Sequence, residues 1–335
     1  MTTVLPHHPL EKDSHQLGAT LAPALVQACS GKLADIAWFH STWQHGGAAT
    51  GFAVWRTGSR EIPVLVKLPV GPVEHQWTSS LGVCDSENFE ESCSHSCTPR
   101  VLASGTELGG YDLAWLVVER LPGGALTHGL TEKDVGDLLS AATDFHAAAA
   151  RCRPPAEAPA PPKWDEILER SRECTRKGVI AESQRWNEAV KKVQKALPAL
   201  KARWAARPVN TWCHGDLHPG NAIRRAPLAD GSPGRCVLID LAMVHSGHWV
   251  EDGVYLERLY WGRSEQLCGV KPVSFLAKLR RERGLPLENS YADLAAIRRV
   301  LMAACVPVYA AREGHPKYTH AALETLENTL PAVAR

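Results

Sequence analysis

The chain has 335 residues, more than one small core organises, so two domains or lobes are expected. Hydrophobic residues at 44% and charged residues at 22% are ordinary for a globular protein, and 37 basic against 36 acidic side chains give no electrostatic case for nucleic acid as the main partner. The opening residues have no apolar run behind a basic start, and no stretch approaches the roughly 20 apolar residues of a membrane span. The ten cysteines are therefore read as mostly reduced and the chain as cytoplasmic, with no membrane partner; its oligomeric state is not legible.

In chain order, residues 1–30 read as an N-terminal extension. Strands are expected at 36–42, 51–57 and 62–68, β-branched or aromatic runs separated by Gly and Pro signals and spaced as an antiparallel meander. Residues 71–81 (GPVEHQWTSSL) read as a short helix with Pro72 near its start and Val73, Trp77 and Leu81 along one face. Cys84, Cys93, His95 and Cys97 come next, but their C-S-H-S-C spacing is not that of a common zinc knuckle, and an insertion with reduced thiols is the preferred reading. Strands at 100–104 and 114–119 complete a five-strand lobe, which the turn at 120–124 ends.

Helical texture then takes over. Residues 131–151 carry Val135, Leu138, Leu139, Ala142 and Phe145 at helical spacing, with Thr131 at the start. Residues 153–163 (RPPAEAPAPPK) form an extended linker, helical patterns run from 164 to about 207, and helix returns from 249 onward. Two strands, 209–213 and 235–240, interrupt this second half. The plan is α+β with two lobes, 1–121 and 122–335.

Between those two strands lies HGDLHPGN, residues 214–221, a loop because Gly and Pro interrupt either ladder. Two strands joined by a long turn are expected to lie antiparallel, so Asp216, Asn221 and Asp240 would face one cleft. Two carboxylates and an amide are hard oxygen donors of the kind Mg²⁺ takes, and one carboxylate can serve a hydroxyl as base. Lys67 stands in an apolar strand (VLVKLP), from which an ammonium facing the cleft could hold phosphate oxygens.

The ordered set resembles the aminoglycoside phosphotransferase and choline kinase family, small-molecule kinases related to the protein kinases. The HxDxxxxN pattern is matched at His214, Asp216 and Asn221, and Asp240 falls at the metal-binding acid of the family's DFG-like element. VLVKLP resembles the lysine strand, PRVLASG and WLVVERLPGG the strands leading to the hinge, and DFHAAAAR the end of the family's LHA helix. Gly247 and Asp252 occupy positions the family fills similarly; the likeness runs from about residue 36 to 265.

The resemblance implies a protein-kinase-like two-lobe fold and Mg²⁺-dependent transfer of a γ-phosphate from ATP or GTP to a small hydroxyl-bearing acceptor such as an aminoglycoside, amino alcohol or sugar. Asp216 would orient or deprotonate the hydroxyl, Asn221 and Asp240 would hold Mg²⁺, and Lys67 would hold the α- and β-phosphates. Backbone groups at Glu119, Arg120 and Leu121 would read the base. Glu74 on the 71–81 helix is expected to pair with Lys67, with Glu87 as the rival. His214 and His218 are read as supporting residues, and Asp252 as the cap of a helix beginning near Gly253 and an anchor for the loop. The nucleotide-covering loop would be TWQHGGAATG with Gly46, Gly47 and Gly51, although its spacing is not G-x-G-x-x-G. Acceptor contacts are sought among Trp249, Glu251, Tyr255, Glu257, Tyr260 and Trp261, whose spacing also suits a helix core. The alternative is a catalytically silent, nucleotide-binding or regulatory relative.

Overall fold

A helix not foreseen in the sequence, α1 (Pro9–Ala28), precedes a five-stranded sheet built from β1 (Leu33–Phe39), β2 (Ala49–Thr57), β3 (Arg60–Leu68), β4 (Val101–Gly105) and β5 (Trp115–Glu119), with α2 (Pro72–Leu81) between β3 and β4. The coordinates are a computed structural model that describes residues 9–39, 48–58, 60–83, 96–127, 129–227, 231–309 and 315–334. All pairings in the sheet are antiparallel and its order is β1-β2-β3-β5-β4. The two-residue period of β3 sorts its side chains between the two faces of the sheet. Ile62, Val64, Val66 and Leu68 are buried and join Leu21 and Leu25 of α1 in one core, so Leu65 and Lys67 project from the opposite face.

The expected face of α2 is corrected. Val73 is exposed, and the buried residues are Glu74, Trp77 and Thr78, so the helix turns a carboxylate inward. Gly51 lies inside β2 rather than in a covering loop. A Cβ there would meet Trp38 at 2.9 Å, and its glycine makes room for that indole. Gly46, Gly47, Glu87, Cys84, Cys93 and His95 fall outside the described residues, while Cys97 is buried.

The remaining helices and short strands are α3 (Glu132–Cys152), α4 (Trp164–Arg176), α5 (Ser183–Ala205), β6 (Thr211–Cys213), β7 (Ala222–Arg224), β8 (Cys236–Leu238), β9 (His245–Gly247), α6 (Val250–Leu259), α7 (Pro272–Glu282), α8 (Tyr291–Ala304), α9 (Val306–Tyr309) and α10 (Pro316–Val333). Thr131 starts α3 with a full capping box, its side chain accepting from Asp134 N while Asp134 accepts from the Thr131 amide. The apolar stripe of α5, from Trp186 through Val190, Val193, Leu197 and Leu200 to Trp204, is buried among neighbours that include α4, α8 and α10. Each large side chain so buried contributes about 1.5–3 kcal/mol.

The chain divides into two compact units, Met1–Gly124 with Ile223–Val244, and Ala125–Ala222 with His245–Arg335. The ribbon of β7 and β8 clusters with the first unit for visible reasons. Leu238 N donates to Cys97 O at 3.0 Å, and Arg225 Nη2 donates to Thr98 O at 2.9 Å. The pairing expected between the strands on either side of HGDLHPGN does not form. A 3₁₀ turn at Pro219–Asn221 turns the chain into β7, which pairs with β8, and β6 pairs instead with β9.

Candidate active site

In the first unit, the face of β3 that carries Lys67 meets the buried carboxylate of α2. Lys67 Nζ lies 2.6 Å from Glu74 Oε1 and 3.9 Å from Asp240 Oδ1. Burial raises the Glu74 carboxyl above its ordinary value in spite of the opposing pull of Lys67, so the ion pair is what keeps a charge tolerable at this depth. Asp240 ends the segment after β8 in a left-handed conformation, φ 60° and ψ 65°, which Asp and Asn adopt more readily than other side-chain-bearing residues. The 3₁₀ turn beyond it, Leu241–Met243, packs on α2, with Leu241 buried.

The expected base-reading segment is anchored from below. The buried Glu119 carboxylate takes Arg100 Nε at 2.6 Å and Arg100 N at 3.0 Å, and it also pairs with Arg225. The Glu119 amide donates to Arg100 O and the Arg120 amide to Pro63 O, whereas the Leu121 amide donates to no described residue.

In the second unit, β6 delivers the chain into the polar loop. Asp216 receives two side-chain hydrogen bonds and stands beside an imidazole. Its Oδ1 accepts from Tyr255 Oη at 2.5 Å, its Oδ2 accepts from Asn221 Nδ2 at 3.1 Å, and His218 Nε2 stands 3.6 Å from Oδ2. The nearby His218 imidazole, with the Tyr255 and Asn221 hydrogen bonds added against the cost of burial, holds the Asp216 carboxyl well below the usual carboxylate range. Asp216 is thus an ionised acceptor. Tyr255 is pushed the other way, to about 12, by burial and by the same carboxylate. Asn221 also donates to Asp216 O at 3.0 Å, so both Nδ2 bonds are spent on Asp216, and no described residue donates to its Oδ1.

The loop is held from behind by a fully buried acid. Asp252 Oδ2 accepts from His214 N at 2.8 Å and Oδ1 from Gly215 N at 2.9 Å. His146 of α3 adds a third bond to Asp252 at 2.9 Å, and Arg280 Nη1 stands 3.4 Å from His146 Nδ1. Arginine only donates, so His146 Nδ1 accepts and its Nε2 carries the proton given to Asp252. Burial lowers the His146 pKa, in keeping with a neutral ring. Asp252 makes no helix cap; α6 begins at Val250, and the anchoring half of the expectation is what the geometry displays. His214 packs edge-on to Phe145 at 5.9 Å, a scaffold contact.

Two residues take roles that the sequence does not announce. Tyr255 reads there as a core or acceptor aromatic, and His146 as part of a helix ending. A signal for the first does exist, because Asp252 and Tyr255 are three apart on one helix and share a face. Tyr255→Phe is expected to lower kcat by about tenfold and to raise the Asp216 pKa, a pair of effects checked by a pH–rate profile.

The residues sought as acceptor contacts separate. Trp249 and Tyr260 are buried. Glu251 is buried against Arg207 at 3.2 Å and Arg298 at 3.7 Å, which with His245 bring its carboxyl down to about 2 although burial raises it. Glu257 is held by Arg299 at 2.7 and 3.1 Å.

Comparison with known proteins agrees with this frame. The model of the phosphotransferase enzyme family matches residues 94–294. No curated protein matches the chain significantly in sequence. Among solved structures, a microcompartment-associated aminopropanol kinase is similar over 92% of this chain and 95% of its own, at 12% identity and a TM-score of 0.53. A thermostable mutant of an aminoglycoside phosphotransferase, in ternary complex with AMP-PNP and hygromycin B, is similar over 92% of this chain and 97% of its own, at 13% identity and a TM-score of 0.50. The fold is the protein-kinase-like, two-lobe α+β fold expected from the sequence. Among the described residues no helix is long and apolar enough to cross a membrane.

Proposed function

The chain belongs to the phosphotransferase enzyme family, and from that premise we propose that it moves the γ-phosphate of ATP or GTP to a hydroxyl of a small molecule, with Mg²⁺ as cofactor. The observation that carries the reading is the ionised Asp216 carboxylate, oriented by Tyr255 and Asn221 on a loop whose amides a buried acid clamps.

In this reading Asp216 accepts the hydrogen bond of the acceptor hydroxyl and aims its oxygen at the γ-phosphorus. As the new O–P bond forms and the bond to the β-bridging oxygen breaks, the hydroxyl proton passes to Asp216. A carboxylate with so low a pKa is a weak base, so its main work is orientation, which suits a transition state needing little early proton removal. Lys67, steadied by Glu74, holds α- and β-phosphate oxygens. The Leu121 amide is the hinge donor available to the base. Residues 1–121, with the segment that carries Asp240, would thus serve the nucleotide, and the rest of 122–335 catalysis and the acceptor.

The donor set suits Mg²⁺. Asp240 offers an exposed carboxylate, and Asn221 offers an amide oxygen that no described residue engages. When bound, the ion would neutralise phosphate charge. Asp240→Ala is expected to weaken nucleotide binding about tenfold or more with Mg²⁺ present and to change metal-free binding little, measured by calorimetry in both conditions. Equal affinities with and without metal in the intact protein would overturn the metal assignment. Nucleotide binding without turnover over a broad acceptor panel would leave the regulatory alternative standing.

A further inference from the structure

Behind the clamped loop, three side chains of metal-binding type converge from three elements. Cys213 ends β6 and His245 begins β9, and the two stand opposite each other in the strand pairing. Residues so paired have Cβ atoms about 4.5–5.5 Å apart, so the register itself brings sulfur and imidazole together. Glu251 reaches them from the first turn of α6. Cys213 Sγ, a His245 ring nitrogen and a Glu251 carboxylate oxygen all lie within 4.8 Å of one another. Among the described residues no other three His, Cys or carboxylate side chains are drawn so close.

The separations suit one small ion. His245 Nε2 is 3.6 Å from Glu251 Oε2, and ligands about 2.0–2.1 Å from a tetrahedral ion stand about 3.4 Å apart. The two oxygens of Glu251 divide the work. Oε1 accepts from the His248 amide at 3.0 Å and from Arg207 Nε at 3.2 Å, which fixes the carboxylate. Oε2 is turned to His245, with Arg298 Nη2 at 3.7 Å. Gly247 keeps the space open, because a Cβ there would meet Glu251 Oε1 at 2.6 Å and Cys213 Sγ at 3.2 Å. Cys213 and Glu251 are buried, whereas the His245 side chain is 29% exposed, which gives an ion a route in and water a fourth position.

Two arginines stand close by, yet they do not dominate at the sulfur. Asp252 and Glu251 act on Cys213 more strongly than Arg298 and Arg207 do, so these four charges sum to a negative potential there. The thiol spends its hydrogen on one long bond, to His248 O at 3.4 Å.

We infer that Cys213, His245 and Glu251 form a site for a borderline-soft divalent cation of the Zn²⁺ type, separate from the Mg²⁺ donors Asn221 and Asp240 and independent of the proposed phosphotransfer. On binding, the Cys213 S–H proton leaves to water, and the thiolate, a neutral imidazole nitrogen and the carboxylate take the metal. The sulfur ligand selects against Mg²⁺, which takes oxygen. The ion ties β6 and β9 to α6 beside both ends of the clamp, since Cys213 precedes His214 and Glu251 precedes Asp252.

The test adds Co²⁺ to the full chain after chelator treatment and follows the near-ultraviolet thiolate-to-cobalt charge-transfer band. One equivalent is expected to saturate the band, Zn²⁺ to abolish it by displacement and Mg²⁺ to leave it in place. Cys213→Ser is expected to remove the band, and His245→Asn to weaken Co²⁺ binding about tenfold or more. Cys152→Ser, at an exposed thiol, should change neither. Zn²⁺ should raise the melting temperature of the wild type and not that of Cys213→Ser, whose metal-free melt shows that it folds. Should that variant unfold, His245→Asn, at a partly exposed position, decides alone. A band that is absent, that survives either ligand substitution unweakened, that depends on Cys152 or that Mg²⁺ displaces overturns the inference. None of these readouts involves turnover, so the phosphotransfer reading stands or falls apart from them.

Discussion

Asp216→Asn is expected to reduce transfer by about a thousandfold while leaving nucleotide affinity nearly unchanged. The amide is the same size and keeps the loop packed, but it presents an N–H where the acceptor hydroxyl needs an acceptor oxygen. It also sets an amide against the donors Tyr255 and Asn221 that now converge on a carboxylate. Single-turnover transfer measured beside nucleotide calorimetry separates the two effects, and near-full turnover would sink the assignment. The depressed Asp216 pKa gives a second expectation. A carboxyl lowered in the folded state adds stability that is present above its ordinary value of 3.8 and is lost as pH falls through the folded value. Asp216 therefore stays ionised through the weakly acidic range, and the wild-type rate profile should show no acid limb from it there.

Asp252→Ala should do more damage to the fold than any substitution at the loop itself. The variant leaves the amides of His214 and Gly215 and the Nε2–H of His146 without their acceptor, all in a buried setting. Removing one member of a buried charged network costs about 3–5 kcal/mol, measurable by urea denaturation, and transfer should fall with it because the loop loses its register. Two groups set the sign of the pH dependence. Asp252, lowered by His146 and the loop amides against its burial, contributes stability that is lost only as pH drops through its folded value. His146, lowered by burial, is held neutral, so its site loses stability as pH falls below the ordinary value of 6.5. The wild-type melting temperature should decline below about pH 6.5, and a flat profile from pH 7 to 5 would contradict the neutral, buried His146.

The parts of the molecule written in local pattern are legible in the sequence. The β3 alternation, the α3 start at Thr131, the proline at the head of α2 and the polar octet at 214–221 each arise from spacing over a few residues. What depends on distant partners is not. The partner of β6 is β9 rather than the strand ending on Asp240, because a three-residue 3₁₀ turn leads into β7 and no periodicity announces it. The buried face of α2 departs from its apolar pattern because Glu74 is tolerated inside only through Lys67, seven residues away on another element. Glu251 and Glu257 have the character of ligands for a cationic acceptor in the sequence, but the arginines of α8 and Arg207 hold them.

The clamp on the loop has a consequence for how the protein acquires its activity. Asp252 lies 37 and 38 residues from the amides it holds and 106 residues from His146. Its bonds form only after α3 and α6 have docked, since chain closure over such separations must precede the contacts that reward it. The geometry of the octet at 214–221 therefore depends on segments far from it in sequence, and any loosening of α6 would release the loop amides from their acceptor.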